Sequence, residues 1–136
     1  MDDDLDFLTE DAGQPAAAVA LEAVRSELLD WAAGALTARH PHLRAQRGTQ
    51  HLAHARRDLD AHTRHLHNAL VQNDAGELET YLRWASRQPL HAHLIDDVAI
   101  LLEAVRRFVP PPDTQACAEL LAQAMQRTVA SEAPSS

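Results

Sequence analysis

Histidine and aspartate side chains follow one face of a helical segment near the middle of the chain. At the 100° per residue of an α-helix, five of them fall within about 80° of one another: His51, His54, Asp58, His62 and His65. The stripe flanks a row of leucines, and His62 lies on the boundary between the two. Imidazole and carboxylate groups at this spacing can hydrogen-bond, transfer protons or bind a metal ion.

These residues are compatible with more than one kind of chemistry. Asp58 and His62, spaced i,i+4, can form a hydrogen bond that fixes the tautomer of the imidazole. The i,i+3 pairs, His62 with His65 and His51 with His54, offer two nitrogen ligands each to a metal ion or haem iron. The Glu-x-x-His pairing of carboxylate-bridged di-iron bundles is missing from the sequence. We therefore expect a semi-buried histidine bonded to Asp58 and no cofactor. A pH-sensing or ligand-contacting histidine and a metal- or haem-binding bundle are the alternatives.

Aromatic residues mark the next helical segment. Tyr81 and Trp84 lie about 60° apart on one side of it and predict either core packing or an aromatic wall for a planar ligand or a partner. The single cysteine, Cys117, lies on an apolar seam, where a buried small residue is more common than a nucleophile. No nucleophile elbow or glycine-rich phosphate loop occurs. We expect no enzyme but a binding groove lined by five residues: Asp58, His62, His65, Tyr81 and Trp84.

Charge and composition exclude several classes of protein. The 136 residues carry a formal charge of −8, which opposes nucleic-acid binding by bulk charge. Six of the 20 acids fall within the first eleven residues and predict a disordered acidic leader over 1–13. This start has neither the basic residues nor the apolar run of a targeting signal, and no apolar stretch is long enough to span a membrane. A cytoplasmic location is expected.

The elements that carry these residues are all predicted to be helical. Apolar residues recur at spacings of three and four, over about 15–39, 49–72, 74–88, 90–108 and from 113 onward. Leu52 and Ile95 belong to the predicted apolar faces, Asn73 to a helix end, and Asp74 with Glu77 to a capping box. The prediction is an all-α, antiparallel up-down bundle of four to five helices over 14–130, with a disordered tail over 131–136. Its alanine-rich faces leave little core per residue and predict a homodimer or a protein partner.

One long stretch carries a resemblance, and its pattern runs through five short motifs: Arg39-His40-Pro41-His42-Leu43, Gly48, Asp58-Leu59-x-x-His62, Leu66-x-x-Ala69-Leu70 and Tyr81-Leu82-Arg83-Trp84. This pattern resembles a small all-helical bacterial module, and its middle is similar to the helical bundle beside cobalamin-binding domains in light-responsive regulators. The resemblance covers residues 36–108 and marks Asp58, His62, Tyr81 and Trp84. It implies a sensory or regulatory context and no particular reaction.

Overall fold

Five α-helices make up the part of the protein that the structure describes. The computed structural model describes residues 2–41, 50–88 and 94–132, with side chains described between 15 and 129 of those ranges. The helices are α1 (Asp2–Arg39), α2 (His51–Gln72), α3 (Ala75–Ala85), α4 (Leu94–Phe108) and α5 (Asp113–Glu132). No β-strand occurs in the described ranges, which confirms the predicted all-α class. None of the helices in those ranges has both the length and the apolarity needed to cross a bilayer.

The first helix begins earlier than the sequence predicts. Its backbone is helical from Asp2, where a disordered leader is expected, so Pro15 lies inside the helix and not in its first turn. Proline there lacks the N–H that would bond to the carbonyl four residues before it. The acids at the start favour the longer helix, because negative charge stabilises a helix N-terminus. The side chains of 2–14 and all of 133–136 lie outside the described residues, so the division into leader, bundle and tail stays a prediction.

Leucine and alanine build the core. The largest fully buried side chains are leucines contributed by all five helices: Leu21, Leu28, Leu29, Leu36, Leu59, Leu66, Leu70, Leu78, Leu82, Leu101 and Leu121. Burying each of them contributes about 1.5–3 kcal/mol. Leu52 and Ile95, predicted on apolar faces, are instead 48% and 66% exposed. Both lie in the first turn of their helices, and periodicity assigns a face without showing how far a neighbouring helix extends.

Ion pairs between α1 and α2 show how these two helices are aligned. Arg25 Nη1 lies 2.7 Å from an Asp60 oxygen, and further along α1 an Asp30 oxygen lies 2.8 Å from Arg56 Nε, nearer the start of α2. The paired residues therefore run in opposite order along the two helices. This order favours the predicted up-down arrangement, which for the bundle as a whole stays a prediction.

The corner between α2 and α3 fixes the angle at which the site helices meet. Asn73 adopts a left-handed conformation (φ 52°, ψ 44°), and its N–H and that of Asp74 donate to carbonyls in the last turn of α2, as in a Schellman motif. The Asp74 carboxylate then accepts from the Gly76 N–H at 2.9 Å and caps α3. The predicted capping box with Glu77 is wrong, because the Asp74 N–H is already used and Glu77 contacts α2.

Candidate functional site

A hydrogen-bonded network of three side chains joins α2, α3 and α4. His62 is completely buried on α2, with Nδ1 2.7 Å from the Tyr81 hydroxyl of α3 and Nε2 3.3 Å from Asp97 Oδ2 of α4. Asp97 is only 3% exposed. Both nitrogens of this imidazole therefore have protein partners, as buried polar groups require.

The proton positions follow from the partners. A carboxylate accepts, so the His62 Nε2–H donates to Asp97, and in that tautomer Nδ1 accepts from the Tyr81 hydroxyl. Burial raises the pKa of Tyr81 well above its usual range, and the charges of Asp58 and Asp97 raise it further. The hydroxyl therefore keeps its proton, which suits a hydrogen-bond donor and not a base or nucleophile.

A second polar contact lies on the outer side of Tyr81. The His65 ring stacks on the Tyr81 ring, with centroids 3.8 Å apart and planes 13° apart, and the His65 Nδ1–H donates to Glu77 Oε1 at 2.7 Å. Glu77 Oε2 is buried and has no hydrogen-bond partner among the described residues. Tyr81 thus lies between two imidazoles, His62 on the core side and His65 towards solvent.

These outer residues border an open groove between α2 and α3. Its lining is His65, Glu77, Thr80, Tyr81 and Trp84, around a volume of about 470 Å³. Trp84 is 54% exposed, and its ring centroid lies 6.0 Å from that of Tyr81. The groove thus combines an aromatic wall with one carboxylate, and its lining has no arginine or lysine among the residues that the structure describes.

Three of the five residues predicted for a groove meet in this one. His65, Tyr81 and Trp84 line it, whereas His62 lies beneath it in the core and not at the edge of an apolar seam. Asp58 acts on Tyr81 through its charge. The predicted hydrogen bond between Asp58 and His62 stays a prediction, whereas Asp97 lies within hydrogen-bond distance of that imidazole.

The metal and haem hypothesis finds little support in this geometry. A ligating His62 would have to give up the Tyr81 or the Asp97 bond, and His65 Nδ1 already bonds to Glu77. Neither predicted pair, including His51 with His54, belongs to a group of three or more His, Cys, Asp or Glu side chains suited to a metal ion in the described ranges. A structural metal site needs about four such ligands.

Two residues of the candidate site escaped prediction, and one of them had a detectable signal. Asp97 lies on the apolar face of α4 between Leu94 and Leu101, and an acid on a buried face requires a partner. That position could have been noticed, although the identity of its partner on another helix could not. Glu77 was assigned to a local cap because sequence spacing alone cannot show that it faces His65.

The single cysteine lies in a position where its thiol is unreactive. Cys117 is completely buried in α5, as its apolar seam predicts. Burial raises the pKa of its thiol to about 12, and the charge of Asp113 adds to this effect. The thiolate, which is the reactive form, is therefore scarce at neutral pH.

Comparison with protein-family models, with curated proteins and with solved structures finds no match to this chain. The resemblance to the helical module beside cobalamin-binding domains therefore stays a prediction from the motifs alone.

Proposed function

We propose that this protein is a non-enzymatic regulatory or protein-interaction module that binds a ligand or partner in the groove between α2 and α3. The observation that carries the proposal is the half-exposed Trp84 beside Tyr81 in an open groove. Tryptophan and tyrosine supply much of the binding energy at protein interfaces, because a rigid ring buries a large area at a small entropic cost. Their presence in one concave surface favours binding there.

The buried network supports binding more than catalysis. His62 is closed to any substrate, and the raised pKa of Tyr81 removes it as a base. What the network does is hold the Tyr81 hydroxyl towards the core, which fixes the ring that forms the floor of the groove. A preformed surface binds more tightly because less freedom is lost on binding. The regulatory role and the cytoplasmic location remain predictions from the sequence.

Small aromatic probes test this proposal without knowledge of the natural ligand. We expect phenol and indole, added to the ¹⁵N-labelled full chain, to shift NMR signals of Thr80, Tyr81 and the Trp84 indole N–H. Trp84→Leu should weaken these shifts, whereas Val71→Ala, at an exposed residue on α2, should leave them unchanged. Shifts confined to other surfaces, or no shifts at all, would contradict the proposal.

The predicted homodimer is a separate proposal, with the face formed by α4 and α5 as its contact and a second copy as the occupant. Each helix contributes a row at the same spacing (i, i+3, i+4, i+7): Ile95, Val98, Ala99 and Leu102 from α4, and Ala122, Met125, Gln126 and Val129 from α5. Rows of equal length allow α4 of one copy to pack on α5 of the other around a two-fold axis. Light scattering should give twice the chain mass at high micromolar concentration, and Ile95→Glu should give a monomer. A monomeric native protein would refute the dimer.

A further inference from the structure

The groove between α2 and α3 offers a carboxylate and aromatic faces. This combination favours a ligand for its charge as well as for its shape. Glu77 bonds to His65 through one oxygen and keeps the other, Oε2, without a hydrogen-bond partner in the described ranges. The Glu77 side chain is 31% exposed and lines the groove, so a positive charge there lies close enough to the carboxylate for Coulomb attraction. The exposed ring of Trp84 also attracts cations, because its π-electrons are negative, whereas His65 already stacks on the ring of Tyr81.

Two further carboxylates act on the Tyr81 ring through their charge. Asp58 and Asp97 act on Tyr81 from α2 and α4, and both help to raise its pKa after burial, the main cause. Among the described residues of the groove lining, His65 is the one that can become positive. The described lining therefore contains no permanently positive side chain, in a chain whose formal charge is −8.

A contact between a cation and a tryptophan ring already occurs elsewhere in the molecule, at Trp31. The Arg107 guanidinium lies over the Trp31 ring, 5.1 Å from its centroid. Arginine is the better partner for such a ring, since its planar guanidinium stacks on it and still donates hydrogen bonds at its edge. Trp84 is 54% exposed to solvent, so a guanidinium from another molecule can reach it.

We propose that the groove lined by Glu77, Tyr81 and Trp84 binds an arginine side chain that a partner protein presents on an extended segment. This inference rests on the proposed function, and it adds the chemistry of the partner. The guanidinium would stack on Trp84 and lie beside the Glu77 carboxylate. A protein segment fits better than a free metabolite, because the groove is an open depression, whereas small-molecule sites bury most of the surface of their ligand.

A pair of peptides tests whether the groove recognises the charge of its ligand or only its shape. The blocked tripeptide Gly-Arg-Gly and the same peptide with citrulline differ in one group, a guanidinium against a neutral urea. At neutral pH and low salt, the arginine peptide should shift the Trp84 indole N–H of the labelled full chain, with an affinity about 2- to 30-fold above that of the citrulline peptide. Trp84→Leu and Glu77→Gln should each remove most of this preference. Glutamine keeps an oxygen for the His65 bond, and Val71→Ala is the matched surface control.

The possible results distinguish the arginine inference from the proposed binding function on which it rests. Equal binding of the two peptides in the groove overturns the arginine inference and leaves the binding function intact. Arginine-peptide shifts scattered over other acidic surfaces also overturn the inference. Free arginine that binds as tightly as the tripeptide overturns the choice of a protein segment. Failure of the peptides together with phenol and indole overturns both proposals.

Discussion

Replacing Tyr81 with phenylalanine tests the buried network directly, because it deletes one oxygen and keeps the ring. In the native protein this hydroxyl lies 2.7 Å from Nδ1 of the fully buried His62. Without it, the Nδ1 lone pair has lost its donor in a place that water does not reach. Such a buried unsatisfied group costs about 1–3 kcal/mol. Since 1 kcal/mol shifts the melting temperature of a chain of this size by roughly 3–4 °C, we expect a fall of about 3–12 °C.

Removing the other partner of this hydrogen bond, His62, should cost more stability and makes the test quantitative. His62→Leu removes a hydrogen-bond partner from both Tyr81 and Asp97, and leaving one member of a buried pair uncompensated costs about 3–5 kcal/mol. In that background the Tyr81 hydroxyl has already lost its acceptor, so adding Tyr81→Phe should cost almost nothing. The two substitutions should therefore be coupled by about 1–3 kcal/mol in a double-mutant cycle.

Urea unfolding of the four proteins, followed by circular dichroism, measures this coupling. Thr63→Val is the matched control, since its buried hydroxyl bonds only to the Leu59 carbonyl one turn earlier and its loss leaves no polar group stranded. It should cost less than about 1 kcal/mol. If Tyr81→Phe costs the same with and without His62, within about 0.5 kcal/mol, the hydrogen bond does not contribute and the account of the network is refuted.

Three further predictions concern residues whose behaviour can be measured separately from the rest of the chain. Tyr81 is the one tyrosine in the chain, so phenolate absorbance follows it without interference. Because burial raises its pKa, the folded state favours the protonated form, and the resulting stability, complete below the ordinary pKa of 10.0, should be lost as pH rises above it. A native phenolate midpoint near the ordinary value would contradict this. Cys117, whose pKa is raised to about 12, should react with a disulfide reagent at pH 8 only when urea unfolds the chain; equally fast labelling of the native protein would show that it is exposed. Gly34→Ala should raise the free energy of unfolding by about 0.5–1 kcal/mol, because a Cβ there meets open space inside a helix. Gly76→Ala should gain less, because its Cβ would lie 3.0 Å from the carboxylate oxygen that caps α3, and an equal gain would show that this cap is misplaced.

The sequence predicts the helices well because their signals are local. Apolar spacing identifies the helices, and the left-handed Asn73 and the capping Asp74 follow from short-range turn chemistry. The start of α1 was missed because an acidic stretch satisfies both the composition of a disordered leader and the charge preference of a helix N-terminus. Composition alone does not decide between these two.

The site was predicted less completely because its contacts join different helices. Sequence spacing paired His62 with Asp58 on the same helix, whereas the structure shows Asp97, 35 residues away, at its Nε2. Helical periodicity can indicate that Asp97 lies on a buried face, but only packing determines which side chain meets it. His65 and Glu77, 12 residues apart, meet because the turn at Asn73 folds α3 back on α2.

The network is better explained by the groove than by stability. Burying charged and polar groups costs desolvation energy, and well-packed apolar residues in place of Asp97 and His62 would stabilise a bundle at least as well. The polar arrangement does what an apolar core cannot, because a hydrogen bond fixes the direction in which the Tyr81 hydroxyl points and hence the plane of its ring. His65 stacks on one face of that ring, and Trp84 lies beside it. His62 and Tyr81, which the sequence marked as candidates for chemistry, therefore act through position, since Asp97 bonds to His62, His62 bonds to Tyr81, and Tyr81 lines the groove proposed as the binding surface.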